Sequence, residues 1–372
     1  MTQPTGIIWA APIADMGGYG NVTRNYLRAL RHIGLPVQLV NFGPIQNEIG
    51  EDDIKLLLDY LNAGQDPGEN PVLVIHATPE SFIGFERDGY YKTIGITLFE
   101  TDRIPPGWAN FCNHLDEIWV PTQFNYQTFT KSGVDASKVH VIHYPIESSI
   151  YAKPFDPYPF SAEVKSFKFL YTLAFDYRKG LDLLIQSYCK EFSATDDVSL
   201  ILKIIAPDKE DLLELLTSYI PDKENSPHIH YIIERTPRED LLRLYSSSDC
   251  YVSTERACGW GMPQMEMMAM GKPVISINWA GITEYMNNHN SFLIEPEQEL
   301  ELVHPELQRT RHIHYYGHKW AKVKEENVRK VLREAFENHK KREEISLQAK
   351  QDIKNYFSPK VIAEQLKARL FS

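Results

Sequence analysis

The sequence lacks a long hydrophobic run, a cluster of cysteines and an excess of positive charge. No apolar stretch approaches the roughly 20 residues that a membrane-spanning helix needs. The N-terminus has no basic segment followed by an apolar one, so we expect no signal peptide. Four cysteines are scattered without metal-binding or redox spacing, as is usual for reduced thiols in the cytosol. They are Cys112, Cys189, Cys250 and Cys258.

The charge balance excludes a class of partner. The formal net charge of −11 argues against a nucleic-acid-binding protein, because binding to phosphate backbones needs a clustered cationic surface. The 372 residues are enough for two domains with full cores, and the 43% hydrophobic and 24% charged fractions are typical of a globular protein.

Strand-like and helix-like segments alternate along the N-terminal part of the chain, which predicts a parallel sheet with helices on both faces. The predicted strands are 7–12, 36–42, 72–76, 93–99, 117–121 and 139–143, and the predicted helices are 22–33, 54–61, 106–115 and 124–131.

A stretch rich in proline and aromatic residues interrupts the alternation, which then starts again. The later predicted strands are 169–173, 198–205, 229–233, 250–253 and 274–277. Helices are predicted between them at 180–192, 209–220 and 238–247, and a last one at 359–370. The sequence therefore predicts an α/β protein with two Rossmann-like doubly wound domains that face each other across a cleft. The predicted segments are an N-terminal domain over 1–150, a linker over 151–166, a C-terminal domain over 167–350 and a C-terminal helix over 351–372.

Loops after the strands of such sheets are where ligands bind. Gly17 and Gly18, in the run 17–20, follow the first strand and open a helix. The dinucleotide fingerprint needs a third glycine where Thr23 stands, and the second strand ends at Asn41 instead of an acid. A nicotinamide cofactor is therefore not expected, and the turn has either an interdomain role or only reverses the chain.

Arg178 and Lys179 follow the first strand of the second half and precede a helix. Two cations at a helix N-terminus oppose the helix dipole, and an anion would relieve that conflict. Arginine binds phosphate with two parallel hydrogen bonds, and lysine adds a point charge. The pair predicts a diphosphate site.

Three polar residues of the first half also stand at predicted strand ends. His76 has either a structural role or contacts a substrate. Glu100 and Asp102 either form a surface ion-pair cluster with Arg103 or contact a hydroxyl-rich ligand. Their spacing does not by itself make a metal site.

A glycine-rich loop leads into a helix at residues 258–266. Gly259 and Gly261 allow a sharp turn and close approach to a ligand, and Pro263 suits a first helical turn. Glu266 then either starts the helix favourably or accepts hydrogen bonds from sugar hydroxyls.

Together these residues resemble a GT-B glycosyltransferase of the large retaining family called group 1 or GT4. The resemblance extends over nearly the whole chain. Its strongest stretches are 259–266, 269–275 and 281–284, and its supporting stretches are 99–102, 119–122, 178–180 and 238–241.

The resemblance implies a role for each matching position. Glu266 would hold the donor ribose, Arg178 and Lys179 the diphosphate, and the backbone near 234–237 the base. His76 would lie near the transferred sugar, and the last helix would cross back onto the N-terminal domain. The other expected donor-site residues are Gly17, Gly18, Arg235, Thr236, Gly259, Trp260, Gly261, Met262, Gly281, Ile282 and Thr283; Glu100 and Asp102 complete the expected catalytic set.

The sequence departs from the family motif of two glutamates separated by seven residues. Cys258 stands where the first glutamate is expected, and the nearest glutamate is Glu255. Either Glu255 reaches into the site, or the sugar is held differently, or activity is reduced. A small apolar filler is favoured over a reactive nucleophile for Cys258.

The expected function is transfer of a hexose from a nucleotide sugar, UDP-glucose first, to a glycan or lipid-linked acceptor in bacterial polysaccharide assembly. We expect a retaining, front-face mechanism with no metal and no cofactor. The expected location is the cytoplasm or the inner face of the membrane, with possible peripheral membrane contact. The alternatives are a non-catalytic sugar-nucleotide binder, motivated by Cys258, and a Rossmann-type oxidoreductase, which the missing glycine disfavours.

Overall fold

The computed structural model of the protein describes residues 3–46 and 49–372. The chain divides into two structural units. The first comprises residues 1–148 and 354–372, and the second comprises residues 149–353. Residues 151–166, predicted as a linker, therefore belong to the second unit.

The first unit is built on a six-stranded parallel sheet. Its strands are β1 (Ile7–Ala11), β2 (Val37–Asn41), β3 (Val72–His76), β4 (Lys92–Ile96), β5 (Glu117–Val120) and β6 (Val139–Val141). They lie in the order β2-β1-β3-β4-β5-β6, and each strand is parallel to its neighbours. All residues of β3 are buried, as expected for a parallel strand covered on both faces.

Helices connect most of these strands. They are α1 (Gly18–Leu30), α2 (Glu51–Ala63), α3 (Trp108–His114) and α4 (Gln123–Lys131). α1 buries Val22, Tyr26, Leu27 and Leu30, the apolar stripe that helical spacing produces.

The predicted last helix is α13 (Pro359–Leu370), and it belongs to the first unit. Ile362, Leu366 and Leu370 are buried on one stripe at four-residue intervals. Arg369 Nη2 donates to Glu117 Oε1 at 2.6 Å, which ties the helix to β5.

The second unit contains another six-stranded parallel sheet. Its strands are β7 (Phe167–Ala174), β8 (Val198–Ile205), β9 (His228–Ile233), β10 (Cys250–Val252), β11 (Val274–Ile277) and β12 (Phe292–Ile294), in the order β12-β11-β10-β7-β8-β9. Helices α5 (Leu181–Glu191), α6 (Lys209–Ser218), α7 (Arg238–Ser246) and α8 (Met262–Met270) connect them. The predicted fold class, with two doubly wound parallel sheets, is confirmed.

The chain continues after this sheet into elements of a different kind. These are the antiparallel pair β13 (Leu300–Leu302) and β14 (Lys319–Ala321), the short helices α9 (Pro305–Thr310) and α10 (His312–Tyr315), and the long helices α11 (Glu325–Glu337) and α12 (His339–Tyr356). None of the described helices combines the length and the apolar character that crossing a membrane requires.

The strand order of the second sheet locates a ligand crevice. The chain moves from β7 through β8 to β9 on one side, then returns to β10 and proceeds to β12 on the other. In doubly wound sheets, ligands bind at the carboxyl ends of the two strands where the order reverses. Those strands are β7 and β10, which lie side by side.

Candidate functional site

The turn after β7 carries the two predicted cations. Residues Tyr177–Lys179 form a short 3-10 turn, and the Asp176 side chain accepts a hydrogen bond from the Arg178 backbone N–H at 2.8 Å. Gly180 has a φ of 65°, and a Cβ placed there would lie 2.2 Å from the carbonyl oxygen of Thr254. Only glycine fits this close approach, which fixes the turn against the loop after β10.

Arg178 and Lys179 share one buried carboxylate, that of Glu255. Lys179 Nζ lies 2.8 Å from Glu255 Oε1, and Arg178 Nη1 lies 3.3 Å from Oε2. Arg178 Nη1 also donates to the carbonyl of Ala257 at 2.7 Å. Burial opposes ionisation of Glu255, but the two cations outweigh it and hold its pKa below the usual value. Two cations against one carboxylate leave a net positive charge, which suits an anionic ligand.

Cys258 is attached to the same cluster. The thiol is buried, and the Glu255 carboxylate acts electrostatically on it. Burial, followed by the charge of Glu255, raises the pKa of the thiol well above its usual value, so Cys258 is neutral. Glu255, and not Cys258, therefore carries the negative charge of this cluster.

The glycine-rich loop between β10 and α8 is fixed by contacts with the backbone of Gly281. The Gly281 backbone N–H donates to the Cys258 carbonyl at 2.8 Å, and a Cβ on Gly281 would lie 1.9 Å from the carbonyl oxygen of Gly259. Gly261 has a φ of 89° and precedes the first residue of α8. The resemblance implies that residues 280–283 offer N–H groups to a ligand, but the N–H of Gly281 is already used to hold the loop.

Side chains of neighbouring residues add further hydrogen bonds in this region. Tyr285 donates its hydroxyl to the carbonyls of Trp260 and Gly261, each at 2.8 Å. Thr283 Oγ1 donates to the Ala280 carbonyl at 2.8 Å within the 3-10 turn of residues 280–284. Met262 and Ile282, which are also expected to bind the nucleotide-sugar donor, are buried.

Glu266, expected to hold a ribose, is engaged by protein groups on both oxygens. Arg238 Nη2 lies 2.8 Å from Oε1, and Arg238 Nη1 lies 3.1 Å from Oε2. Tyr151 donates its hydroxyl to Oε1 at 3.0 Å. Glu266 is 2% exposed. Burial lowers the pKa of Arg238, but the Glu266 carboxylate outweighs this effect and raises that pKa well above its usual value. A ligand that hydrogen-bonds Glu266 would share this carboxylate with Arg238 and Tyr151.

Arg238 and Tyr151 were not predicted as site residues. Arg238 is the first residue of α7, where a cation opposes the helix dipole. The same signal identified Arg178 and Lys179, and it would have identified Arg238. Arg235 and Thr236 precede α7, Arg235 being exposed and Thr236 8% exposed.

In the first unit, His76 is enclosed by aromatic rings at the end of β3. Its Nδ1 lies 2.8 Å from Thr23 Oγ1, and its Nε2 has no hydrogen-bond partner among the described residues. The ring centres of Tyr19, Tyr26 and Tyr144 lie 5.0, 6.0 and 6.0 Å from that of His76. Burial lowers the pKa of His76 to about 3, so the imidazole is neutral at neutral pH. It can donate or accept a hydrogen bond but does not act as a cationic acid.

Gly17, at the end of the loop between β1 and α1, and Gly18, the first residue of α1, are exposed. The buried Arg24 braces that loop, because its Nη1 donates to the carbonyls of Ile13 and Asp15 at 2.9 and 2.7 Å. Arg24 therefore fixes the backbone of this loop at the carboxyl end of β1.

Glu100 and Asp102 were predicted directly after a strand. That strand, β4, ends at Ile96, so three further residues precede Glu100. Asp102 Oδ2 accepts from Arg103 Nη2 at 2.8 Å, which is the predicted ion-pair alternative. The part of the chain that the structure describes contains no group of three or more histidine, cysteine, aspartate or glutamate side chains placed to hold a metal ion.

Comparisons with known proteins concern the family and the fold. The sequence model of the family described as "Glycosyl transferases group 1" matches residues 155–304, less than half of the chain, all of them in the second unit. No curated protein sequence matches the chain.

Solved structures resemble the whole chain at low sequence identity. Anabaena HepE in complex with UDP and glucose is 15% identical, with a TM-score of 0.65 over 99% of this chain and 100% of that one. A glycosyltransferase from Rickettsia africae is 14% identical, with a TM-score of 0.66 over 99% and 98%. The trehalose-6-phosphate synthase OtsA is 13% identical, with a TM-score of 0.66 over 98% of both chains.

At such identities the likeness concerns the fold, and the fold is GT-B, with two Rossmann-like units. The family model matches the segment of residues 155–304, and the solved structures share the fold of the whole chain.

Proposed function

We propose that the protein is a retaining glycosyltransferase that moves a hexose from a nucleotide sugar to a glycan or lipid-linked acceptor. One observation carries the proposal. Within the segment that matches the glycosyltransferase family, Arg178 and Lys179 stand at the strand-order reversal, and buried Glu255 holds them 3.3 and 2.8 Å away. This is a prepared cationic site for the donor diphosphate.

In the proposed reaction, the bond between the anomeric carbon and the donor diphosphate breaks. The acceptor oxygen forms its bond to that carbon on the same face, and its proton passes to a diphosphate oxygen. Negative charge grows on the diphosphate in the transition state. Arg178 and Lys179 stabilise that charge from fixed positions, which is the usual source of electrostatic catalysis. The proposal assigns no step to a metal.

The donor is proposed to be a UDP-sugar, with UDP-glucose first, because HepE shares the fold and was solved with UDP-glucose. The pathway is proposed to be bacterial polysaccharide assembly, in the cytoplasm or at the inner face of the membrane, where a lipid-linked acceptor would be reached. His76, neutral and with its Nε2 buried, is proposed to hydrogen-bond the transferred sugar. Glu100 and Asp102 are proposed to contact the acceptor or the sugar.

Glu255 is proposed to supply the charge that the family's first glutamate would bring. It lies three residues before Cys258 and contacts both cations. The carboxylate that the family pattern places at position 258 is thus proposed to come from position 255 of the same loop.

A second candidate function is non-catalytic binding of a sugar nucleotide. The observation that favours it is the pairing of Glu266 with Arg238 and Tyr151, which occupies the expected ribose anchor. A binder and an enzyme differ in whether the bound donor is hydrolysed or transferred.

A thermal-shift screen over UDP-, GDP- and ADP-sugars tests the proposal. Ligand at about 100 times its Kd adds about 2.7 kcal/mol to the free energy of unfolding, so the true donor should raise the melting temperature by several degrees. The preferred donor is then incubated with the protein, and release of nucleoside diphosphate is measured. Release supports the enzyme, and a shift without release supports the binder. No shift with any donor would contradict both.

A further inference from the structure

The segment of residues 295–324, between β12 and α11, contacts the turn that carries Arg178 and Lys179. It contains the antiparallel pair β13 and β14, with the short helices α9 and α10 between them. The family match ends at residue 304 and so does not cover α9 or α10. The cation turn, Tyr177–Lys179, is a 3-10 turn of three residues. Such short turns have few internal hydrogen bonds, so contacts from neighbouring elements determine how well they are fixed.

An ion pair connects this segment to the backbone of Arg178. Arg311, which follows α9, places its Nη1 2.8 Å from Asp176 Oδ2. The other oxygen of Asp176, Oδ1, accepts the hydrogen bond from the Arg178 backbone N–H at 2.8 Å. The Asp176 side chain is 8% exposed, whereas that of Arg311 is 51% exposed. Arg311 therefore fixes the orientation of the carboxylate that holds the start of the cation turn.

A ring stack connects the segment to Tyr177, the first residue of the cation turn. The ring centres of Tyr177 and His304 lie 4.0 Å apart, and the two ring planes differ by 4°. His304 immediately precedes α9, and its Nδ1 accepts a hydrogen bond from the Glu306 backbone N–H at 3.2 Å. The imidazole is thus attached to the start of α9 and covers one face of the Tyr177 ring.

The same segment contacts the loop that carries Glu255. The Ala321 backbone N–H donates to the Arg256 carbonyl at 3.0 Å, and the Arg256 backbone N–H donates to the Arg178 carbonyl at 3.0 Å. The Arg256 guanidinium carbon lies 5.8 Å from the centre of the Trp320 ring, within the range of a cation–π contact. The two cations and their carboxylate are therefore held from one segment of the chain.

We propose that Arg311 and His304 are positioning residues that hold Arg178 and Lys179 in the geometry that binds the donor diphosphate. This inference rests on the proposed function. Both residues act through the two residues that precede Arg178. Donors that are fixed in advance lose little conformational freedom when a ligand binds, so fixing the turn should increase its affinity for a diphosphate.

The test measures the affinities of UDP and of inorganic pyrophosphate by calorimetry. Arg311→Ala and His304→Ala should each weaken both ligands by about 3- to 10-fold, because each removes one contact that fixes the cation turn. Arg309→Ala is the matched control. Arg309 belongs to the same helix, is 73% exposed and pairs with Glu306, so its loss should leave both affinities unchanged.

Two further readouts separate positioning from a general structural role. His304→Phe keeps a flat ring against Tyr177 but loses the hydrogen bond at the start of α9. It should therefore melt at a lower temperature than the wild type and still bind pyrophosphate with wild-type affinity. In a double-mutant cycle, Arg311→Ala and Lys179→Ala together should weaken pyrophosphate by less than the product of their separate factors, because both act on the same turn.

The outcomes that overturn the inference are distinguishable from failure of the proposed function. Wild-type affinity in Arg311→Ala and His304→Ala, an equal loss in Arg309→Ala, independent losses in the cycle, or a His304→Phe variant as weak as His304→Ala would each overturn it. If Lys179→Ala loses pyrophosphate while the two positioning variants keep it, this inference fails and the proposed function stands. If the wild type binds neither UDP nor pyrophosphate, both fail.

Discussion

Glu255→Gln tests whether one buried carboxylate organises the cation turn. The substitution keeps the shape of the side chain and removes its charge. Arg178 and Lys179 would then stand 17% and 19% exposed with no counter-charge at their 3.3 and 2.8 Å contacts. The glutamine NH2 group would also face one of these two donors.

The expected loss in the free energy of unfolding follows from the burial of the Glu255 ion pairs. Breaking a buried ion pair by removing one partner costs about 3–5 kcal/mol, and the partial exposure of both cations favours the lower end. A loss of about 3 kcal/mol should lower the melting temperature of a unit of this size by about 6–12 °C. Donor transfer should fall as well, because the cations lose their fixed positions.

The pH dependence of this loss has a defined sign. The pKa of Glu255 is below its usual value of 4.5 in the folded protein, because Lys179 and Arg178 overcome the effect of burial. A carboxylate with a lowered pKa stabilises the fold above the unfolded-state pKa and loses that effect as the pH falls through its folded-state pKa. The difference in melting temperature between wild type and variant should therefore be largest at pH 6–7 and decrease below about pH 4.5.

Differential scanning fluorimetry across pH 3.5–7 measures both effects. Glu306→Gln is the control, because Glu306 pairs with the highly exposed Arg309 and its loss should leave the melting temperature unchanged. Equal melting temperatures for wild type and Glu255→Gln, or a gap that does not change with pH, would refute this role for Glu255.

Two further predictions concern the loops around the site. Gly281→Ala places a Cβ 1.9 Å from the Gly259 carbonyl oxygen, so it should lower the melting temperature and abolish donor binding in a thermal-shift assay. Gly84→Ala, whose Cβ would also meet nothing within 4 Å, should do neither; equal behaviour of the two would contradict the close packing. Arg238→Ala should cost about 3–5 kcal/mol in urea unfolding because it leaves the buried Glu266 carboxylate without its charged partner. Tyr151→Phe should cost only about 1–3 kcal/mol, and an Arg238→Ala loss no larger than that of Tyr151→Phe would show that the ion pair is dispensable.

The sequence predicts the sheets well because buried parallel strands are continuous apolar runs separated by turn residues. β3 and β8 stand out for this reason. β12, β13 and β14 were not predicted, because they lie outside the regular strand–helix alternation: β12 is at an edge of its sheet, and β13 and β14 form a separate two-stranded antiparallel sheet. The strand before Glu100 was extended too far because Thr97, Leu98 and Phe99 continue the β-branched or apolar character of the strand.

The candidate site was predictable where the signal is local. Arg178 and Lys179 conflict with the start of a helix, and this can be read from consecutive residues. Their partner Glu255 lies 76 and 77 positions away, so nothing in the local pattern connects them. The same limit hides the contact of Glu266 with Tyr151, 115 positions away.

The central claim is that Lys179 and its neighbour hold the diphosphate of a nucleotide sugar. Calorimetric titration of the preferred nucleoside diphosphate into wild type, Lys179→Ala and Lys190→Ala tests it most directly. Lys190, on the next helix, pairs with Glu325 and is 44% exposed, so its removal is the matched control. The account predicts at least about tenfold weaker binding for Lys179→Ala, the loss of one charged contact, and no change for Lys190→Ala. Equal affinity in all three proteins would contradict it.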